Sequence, residues 1–421
     1  MTSDRVSTVP GRTLMMTMLV IAYTLNFIDR QIVGILAEPI KADLGLTDSQ
    51  LGWMGGAAFA LFYTLLAIPI AMLADRRDRS WIITIGLTLW SAATALCGVA
   101  QNFWQLFLAR MSVGVGEAGG VAPAYSMIAD LYPLEKRARA LAIFSLGIPF
   151  GGALGVLFGG LIAARIDWRW AFIIIGLVGV LFAPIFKYFV RDPGHGRSDE
   201  PPRVAPSNFG LVFRTIAAKP AFWMLGFGAG IASLVSYGLA FWVPSFLARS
   251  YGLELEERSW IVAAIQLFGG SAGIYFGGLL GDRLGNANPR GYALVPAIAF
   301  AITLPAYFLA FSSHSLLSSA LLLVIPTALG LTWLGPVVTA VTRLVPPEMR
   351  ATASALFLFI NNLIGLGLGS TVIGMISDSL TARYGDEALR YSAMATTTLY
   401  AIAAALMFFA ARRLYRDFHT N

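Results

Sequence analysis

The sequence is poor in charge, in cysteine and in histidine. Asp, Glu, Lys and Arg make up 13% of its 421 residues, against about a quarter in soluble proteins. A surface wetted on all sides cannot be built from so few charges. With mean hydropathy at +0.71, most of the exterior is expected to lie in hydrocarbon, which excludes soluble enzymes, disulfide-stapled secreted modules and disordered scaffolds. The single cysteine, Cys97, sits in an apolar run and rules out an intrachain disulfide and a cysteine-based metal site. His195, His314 and His419 are far apart in expected loops or the tail, so they carry neither a metal site nor a catalytic triad. No metal, no cofactor and no enzymatic activity are expected. Gly114, Gly116 and Gly119 match the spacing of a dinucleotide loop, but they lie inside an apolar helix with no preceding strand, and the match is accidental.

What the sequence does have is 57% apolar residues, gathered in runs of about 20, the length that crosses a bilayer as a helix. The runs begin near Leu14, Leu51, Trp81, Phe103, Ala140, Trp170, Ala221, Ser259, Gly291, Leu316, Ala351 and Tyr391. They do not alternate, so barrel strands are excluded. The expected fold class is an all-α membrane protein with twelve transmembrane helices.

The net charge of +7 is scattered in short clusters between apolar runs and gathers on no single face, so no nucleic acid is expected. Lys and Arg in the termini and the even-to-odd connections outnumber those in the alternate connections about three to one, which places both termini in the cytoplasm. Arg5 and Arg12 precede a long span with no small-residue cleavage site, the mark of a retained first helix. A polar stretch with Pro193, Pro201, Pro202 and Pro206 follows the sixth helix and reads as a cytoplasmic linker. The expected organisation is a six-helix bundle over 1–190, a linker over 191–219 and a second bundle over 220–421.

The two halves repeat each other. Leu73-Ala74-Asp75-Arg76 recurs as Leu280-Gly281-Asp282-Arg283, and Pro133-Leu134-Glu135-Lys136-Arg137-Ala138 as Pro346-Pro347-Glu348-Met349-Arg350-Ala351, each about half a chain later. Parallel six-helix repeats make two pseudo-symmetric bundles, the architecture of transporters whose central site is exposed to alternate sides.

On these residues the chain resembles the major facilitator superfamily over essentially its whole length. Ala71 to Arg79 is similar to the signature between helices two and three, with Ala71 and Asp78 in place of the usual glycines; Gly278 to Gly285 keeps both. Arg110-Met111-Ser112-Val113-Gly114-Val115-Gly116 resembles the fourth-helix motif. Gly147-Ile148-Pro149-Phe150-Gly151-Gly152 resembles the fifth-helix motif of proton-linked antiporters without the glycine before the proline. Asp29-Arg30, Gly116-Glu117-Ala118, Ala129-Asp130-Leu131-Tyr132-Pro133 and Trp168-Arg169-Trp170-Ala171-Phe172 resemble the Spinster lipid-transporter branch. The resemblance implies transport of amphipathic lipids such as lysophospholipids or sphingosine phosphate, a monomer, and a bacterial inner membrane location. It also implies that Asp75 faces the start of helix eleven near Ala351 and Asp282 the start of helix five near Arg139, closing an inner gate with Arg76, Arg79 and Arg283; solvated-turn or positive-inside roles are the alternative for the arginines.

Four ionisable residues fall well inside spans: Asp29 and Arg30 on the first helix, Arg110 and Glu117 on the fourth. Each costs about 3 kcal/mol or more at bilayer depth and normally faces a partner or a wet cavity. At 1.5 Å per residue, Asp29, Arg30 and Arg110 are nearly level and Glu117 lies roughly 10 Å deeper. Asp29 is therefore expected to pair with Arg30 or Arg110, leaving Glu117 less directly compensated as the main proton carrier, with Asp29 as the second proton-coupling group. Arg30 and Arg110 are the expected anion anchors. Tyr23 and Asn26, on the same first helix, and Tyr237, Trp242, Trp333 and Asn361 in the second half complete the expected substrate-binding set. An anionic head on a greasy body suits one charged half-cavity and one aromatic, weakly polar half. The alternatives are a structural ion-pair network for the charges and ordinary packing for the aromatic residues.

Two glycine stripes, Gly147, Gly151, Gly155 and Gly159 on helix five and Gly269, Gly273, Gly277 and Gly281 on helix eight, are close-packing faces. Two readings stand: the stripes meet and slide as the halves rock, or each packs statically inside its half. For the function as a whole, proton-coupled transport of an amphipathic anionic lipid leads, transport of small organic anions follows, and an uncoupled scramblase or receptor is the alternative of another class.

Overall fold

With no water in a bilayer core to pair backbone groups, long apolar runs can only coil, and the described residues are helical throughout their spans with no strand among them. The structure is a computed structural model and describes residues 11–74, 76–194, 209–346 and 349–418. The first half runs α1 (Arg12–Ile35), α2 (Ala37–Leu44), α3 (Asp48–Gly55), α4 (Ala57–Ala74), α5 (Arg79–Cys97), α6 (Phe103–Glu117), α7 (Val121–Leu131), α8 (Leu134–Ser145), α9 (Gly147–Arg165) and α10 (Trp168–Phe189). Then come α11 (Phe209–Ala217), α12 (Pro220–Tyr251), α13 (Leu255–Ile265), α14 (Ser271–Ala287), α15 (Gly291–Ser312), α16 (Leu316–Leu329), α17 (Leu334–Arg343), α18 (Arg350–Tyr384), α19 (Ala388–Thr397) and α20 (Leu399–Asp417).

Ten stretches among the described residues are helical, apolar and long enough to cross a membrane. The last, Thr352–Asp417, holds both α18 and α20. The α6–α7 segment stays outside the ten because it breaks at 118–120, where Gly119 and Gly120 weaken the helix and leave two shorter pieces. The order is consistent with twelve passes. Polar side chains start several helices: Asp78 accepts from the Trp81 N–H, Asn102 from Gln105, and Thr47 forms a capping box with Gln50. Leu65, Leu181, Leu317 and Leu321 are exposed on outer faces, the arrangement lipid favours and water does not.

By contacts the chain divides into two units, one of residues 1–36 and 61–203, the other of 37–60 and 204–421. In the first, α9 lies along α1 and α10 along α5; in the second, α12 lies along α18 and α20. The glycine stripes settle one of the two readings offered above. A Cβ on Gly155 would sit 2.7 Å from the Ile28 carbonyl of α1, and one on Gly277 would sit 2.6 Å from Thr332, just before α17. The rest of the first stripe meets α1, and Gly269, Gly273 and Gly281 meet α16 and α17, so both stripes pack inside their own unit, as the second of the two readings has it. Backbones separated by hydrogen alone gain the dispersion contact that lipid cannot supply by hydrophobicity.

Candidate functional site

The buried face of α1 includes Asn26, Asp29, Ile32 and Val33, and that of α6 includes Arg110, Val113, Gly114 and Glu117. Residues 110 and 117 lie nearly two turns apart on one helical face. Asp29, Arg110 and Glu117 are 3%, 1% and 0% exposed, and Arg30 is half-buried. All four side chains therefore turn to protein in the first unit, away from acyl chains.

Their pairing differs from the expected one. Arg30 Nε donates to Glu117 Oε2 at 2.7 Å, so Glu117 is the directly compensated carboxylate. Arg110 reaches α1 with Nη1, donating to the Asp29 backbone carbonyl at 3.3 Å, and its charge lies near the Asp29 carboxylate. The reason is reach: the arginine and glutamate side chains together bridge the axial step of roughly 10 Å that separates Arg30 from Glu117, so equal depth of Cα atoms does not decide the partner. The Arg30 guanidinium also lies over two rings, 5.0 Å from Phe27 and 4.7 Å from Tyr63, which fixes its plane. Tyr23 stacks on Phe144 at 4.3 Å, and Asn26 is buried beside Glu117.

Protonating Glu117 would remove the charge that holds Arg30. A buried pair broken on one side is strongly unfavourable unless another anion takes the vacated position.

In the second unit, Ser233 Oγ donates to Asn361 Oδ1 at 2.8 Å, and Ser236 shares a hydrogen bond of 2.7 Å with the Tyr400 hydroxyl. Tyr237 is half-buried on α12. Trp242 is buried, its indole N–H donating to the Ser370 carbonyl at 2.8 Å, and Trp333 is buried edge-to-face against Phe357.

The model of the Major Facilitator Superfamily matches residues 19–370. The chain belongs to that superfamily, in its Spinster branch. It is 35% identical to an MFS-type efflux pump of Mycolicibacterium smegmatis over 93% of this chain and 91% of that protein. It is 30% identical to human protein spinster homolog 1 over 94% of this chain and 80% of that protein. The crystal structure of a bacterial homologue of the human lysosomal transporter Spinster, inward-facing and unoccupied, superposes with a TM-score of 0.86 at 33% identity, covering 98% of this chain and 99% of the other. The protein is thus an integral membrane transporter of the superfamily.

The residues expected at the superfamily's inner gate fall out differently. Asp75 lies outside the described residues. Arg76, Asp282 and Arg283 are exposed. Arg79 is buried and bound inside the first unit: Nη1 bonds Asp130 and Ser126, and Nη2 meets Asp192 at 2.6 Å. It ties the start of α5 to α7 and to the segment after α10.

A second ion cluster was missed by sequence reasoning. Arg249 forks onto Asp48, Nη1 to Oδ2 and Nη2 to Oδ1 at 2.7 Å each, and its Nε donates to Glu38 at 2.9 Å. Lys41 and the Ser377 hydroxyl also bind the Asp48 carboxylate, at 2.6 and 2.7 Å. Asp378 accepts from the Asp48 and Ser49 N–H groups at 3.0 and 2.8 Å, capping α3 where the helix dipole favours an anion. Segment 37–60 is thereby fastened to α12 and α18 of the second unit. The signal was there, in acidic residues flanking the second apolar run, but at helix ends they resemble ordinary loop charges.

Proposed function

We propose that this chain is a proton-coupled secondary transporter of an amphipathic anionic lipid, of the lysophospholipid or sphingosine phosphate kind, working by alternating access. Residues 1–190 and 220–421 act as the two bundles, 191–219 as the linker, and both termini lie in the cytoplasm of a bacterial inner membrane. The observation that carries the reading is the buried pair of Arg30 and Glu117: an acid that can load a proton holds the cation that can bind an anion. Glu117 is the principal proton carrier, Asp29 the second, and Arg30 with Arg110 the anion anchors. Asn361 and Tyr237 offer polar contacts in the second bundle. Trp242 and Trp333 support them through packing. Asp282 and Arg283 serve the inner gate.

Supporting the substrate class are the Spinster relatives and the middle of the matching helix α12, whose one charged residue, Arg249, lies near its end bound to Asp48 and Glu38, which leaves an apolar side for a greasy tail. Uptake by reconstituted protein, with a lipid panel and an imposed pH gradient, tests it. Competition by lysolipids and not by small carboxylates is the expected result; the reverse would assign the Arg pair to small organic anions. Uptake indifferent to the gradient would point to a scramblase or receptor.

A further inference from the structure

Toward its end, one face of α20 turns from apolar to cationic. The buried side, which includes Met407, Ala411 and Leu414, packs against α12 and α15 of the second unit. The opposite side is exposed and carries Phe408, Arg412, Tyr415 and Arg416, whose helical spacing keeps them on one stripe. The Arg412 guanidinium lies 4.6 Å from the Phe408 ring and 5.9 Å from the Phe409 ring. Neither Arg412 nor Arg416 makes a side-chain hydrogen bond or an ion pair among the described residues. The adjacent carboxylate, Asp417, is turned to α12, where it accepts from the Ala221 N–H at 3.0 Å.

Neighbouring elements give the depth of this stripe. α12 and α20 run antiparallel: Ala221 meets Asp417, and a Cβ on Gly228 would sit 3.3 Å from the Leu406 Cβ. Trp223 and Arg412 both fall between these contacts, so they share a depth to within about a helical turn. Phe213 of α11 meets the Trp223 ring edge-to-face at 6.3 Å, and the exposed Phe227 stacks on it at 6.1 Å. α11 itself buries Val212 and Ile216 and exposes Leu211, Phe213 and Arg214, the pattern of a helix lying in the headgroup layer. Aromatic rings and arginines gathered at one depth mark the boundary between membrane and water.

We propose that the outer stripe of α20 binds one anionic phospholipid of the surrounding membrane, its phosphate between Arg412 and Arg416 and an acyl chain along Phe408. The two arginines stand one turn apart, about 6 Å along the axis, close enough for their side chains to converge on one phosphate. A guanidinium stacked on a ring keeps its N–H donors in its own plane, free for phosphate oxygens. A zwitterionic lipid brings a cation of its own to the same place and gains less from the pair. The stripe belongs to the second unit, whereas Arg30 and Glu117 belong to the first, and lipid held there need not be cargo.

Native mass spectrometry of the full chain in detergent, titrated with phosphatidylglycerol or with phosphatidylcholine, tests it. Wild type should hold phosphatidylglycerol roughly tenfold more tightly than phosphatidylcholine. Arg412→Gln with Arg416→Gln should remove that preference while phosphatidylcholine binding stays the same, and each single variant should show part of the loss, which keeps the readout if the double variant does not fold. Arg290→Gln, which neutralises an exposed arginine at the start of α15, should bind both lipids as wild type does. Equal binding of the two lipids by wild type, or wild-type affinity for phosphatidylglycerol in both single variants, overturns the site. A loss of the same size in Arg290→Gln would reveal a diffuse surface field and overturns it as well. Displacement of phosphatidylglycerol by inorganic phosphate would make free phosphate the occupant and overturn the assignment to lipid.

Discussion

Arg30 on α1 and Glu117 on α6, 87 residues apart, share a charge-assisted hydrogen bond of 2.7 Å with Glu117 wholly buried. Only one nitrogen of the guanidinium is used in that bond, and the plane is held by Phe27 and Tyr63. A lysine would keep the charge and lose both the fork and the stacking. Arg30→Lys is therefore expected to raise the concentration of anionic amphiphile needed for half-maximal uptake about tenfold, equivalent to one charge-assisted bond. Concentration curves in proteoliposomes read this directly, and an unchanged curve would remove Arg30 from the binding set.

The Asp48–Arg249 fork should dominate the thermal stability of the second unit. Asp48 is 1% exposed, and removing one partner of a buried pair costs about 3 kcal/mol or more because the other charge stays behind. Arg249→Met and Asp48→Asn are each expected to lower the melting temperature in detergent, and the double variant to lose less than the two losses added together. Strict additivity would show that the fork is energetically idle.

Glycine positions divide by what stands opposite them. A valine at Gly155 must displace the Ile28 backbone, a form of overpacking that costs about 1–3 kcal/mol or more. An alanine at Gly278 meets nothing within 4 Å and should be neutral or slightly stabilising through helix propensity. Expression and melting curves of Gly155→Val and Gly278→Ala should therefore differ sharply. Equal behaviour would contradict the packing of α9 against α1.

Asp192, in the segment after α10, accepts from Arg79 and from two backbone N–H groups, which hold its carboxyl at about 2, below its ordinary 3.8. A depressed acid stabilises the fold while it is ionised. Its contribution is complete above pH about 4 and is lost as pH falls toward 2. Asp192→Asn should melt earlier than wild type at pH 7, with the gap closing between pH 4 and pH 2. A gap that persists at pH 2 would mean the asparagine harms packing and not the ion pair.

Much of this was legible in sequence because the solvent is hydrocarbon. Lipid forces long apolar helices, so the spans and the duplication could be read off, and it makes each intramembrane charge conspicuous, which is how Asp29, Arg30, Arg110 and Glu117 were found. Partner choice was not legible. Arithmetic on Cα depth put Asp29 with Arg30 or Arg110 and left Glu117 the less compensated, whereas side-chain reach carries Arg30 to Glu117. Nor was the Glu38–Asp48–Arg249–Asp378 cluster, since charges at helix ends look alike whether they are solvated or buried against a distant helix. The stripes on α9 and α14 announced close packing through their spacing, but spacing alone does not name the neighbour, and Ile28 and Thr332 became visible only with the fold.

The account turns on Glu117 loading the proton that frees Arg30. The most direct measurement compares wild type with Glu117→Gln in proteoliposomes, following uptake of a fluorescent lysophosphatidic acid and luminal pH together under an imposed pH gradient. Glutamine keeps the size and hydrogen-bonding capacity but cannot titrate. The predicted result is that gradient-driven accumulation and coupled proton flux disappear while the probe still binds. Accumulation in Glu117→Gln that follows the gradient as in wild type would contradict it.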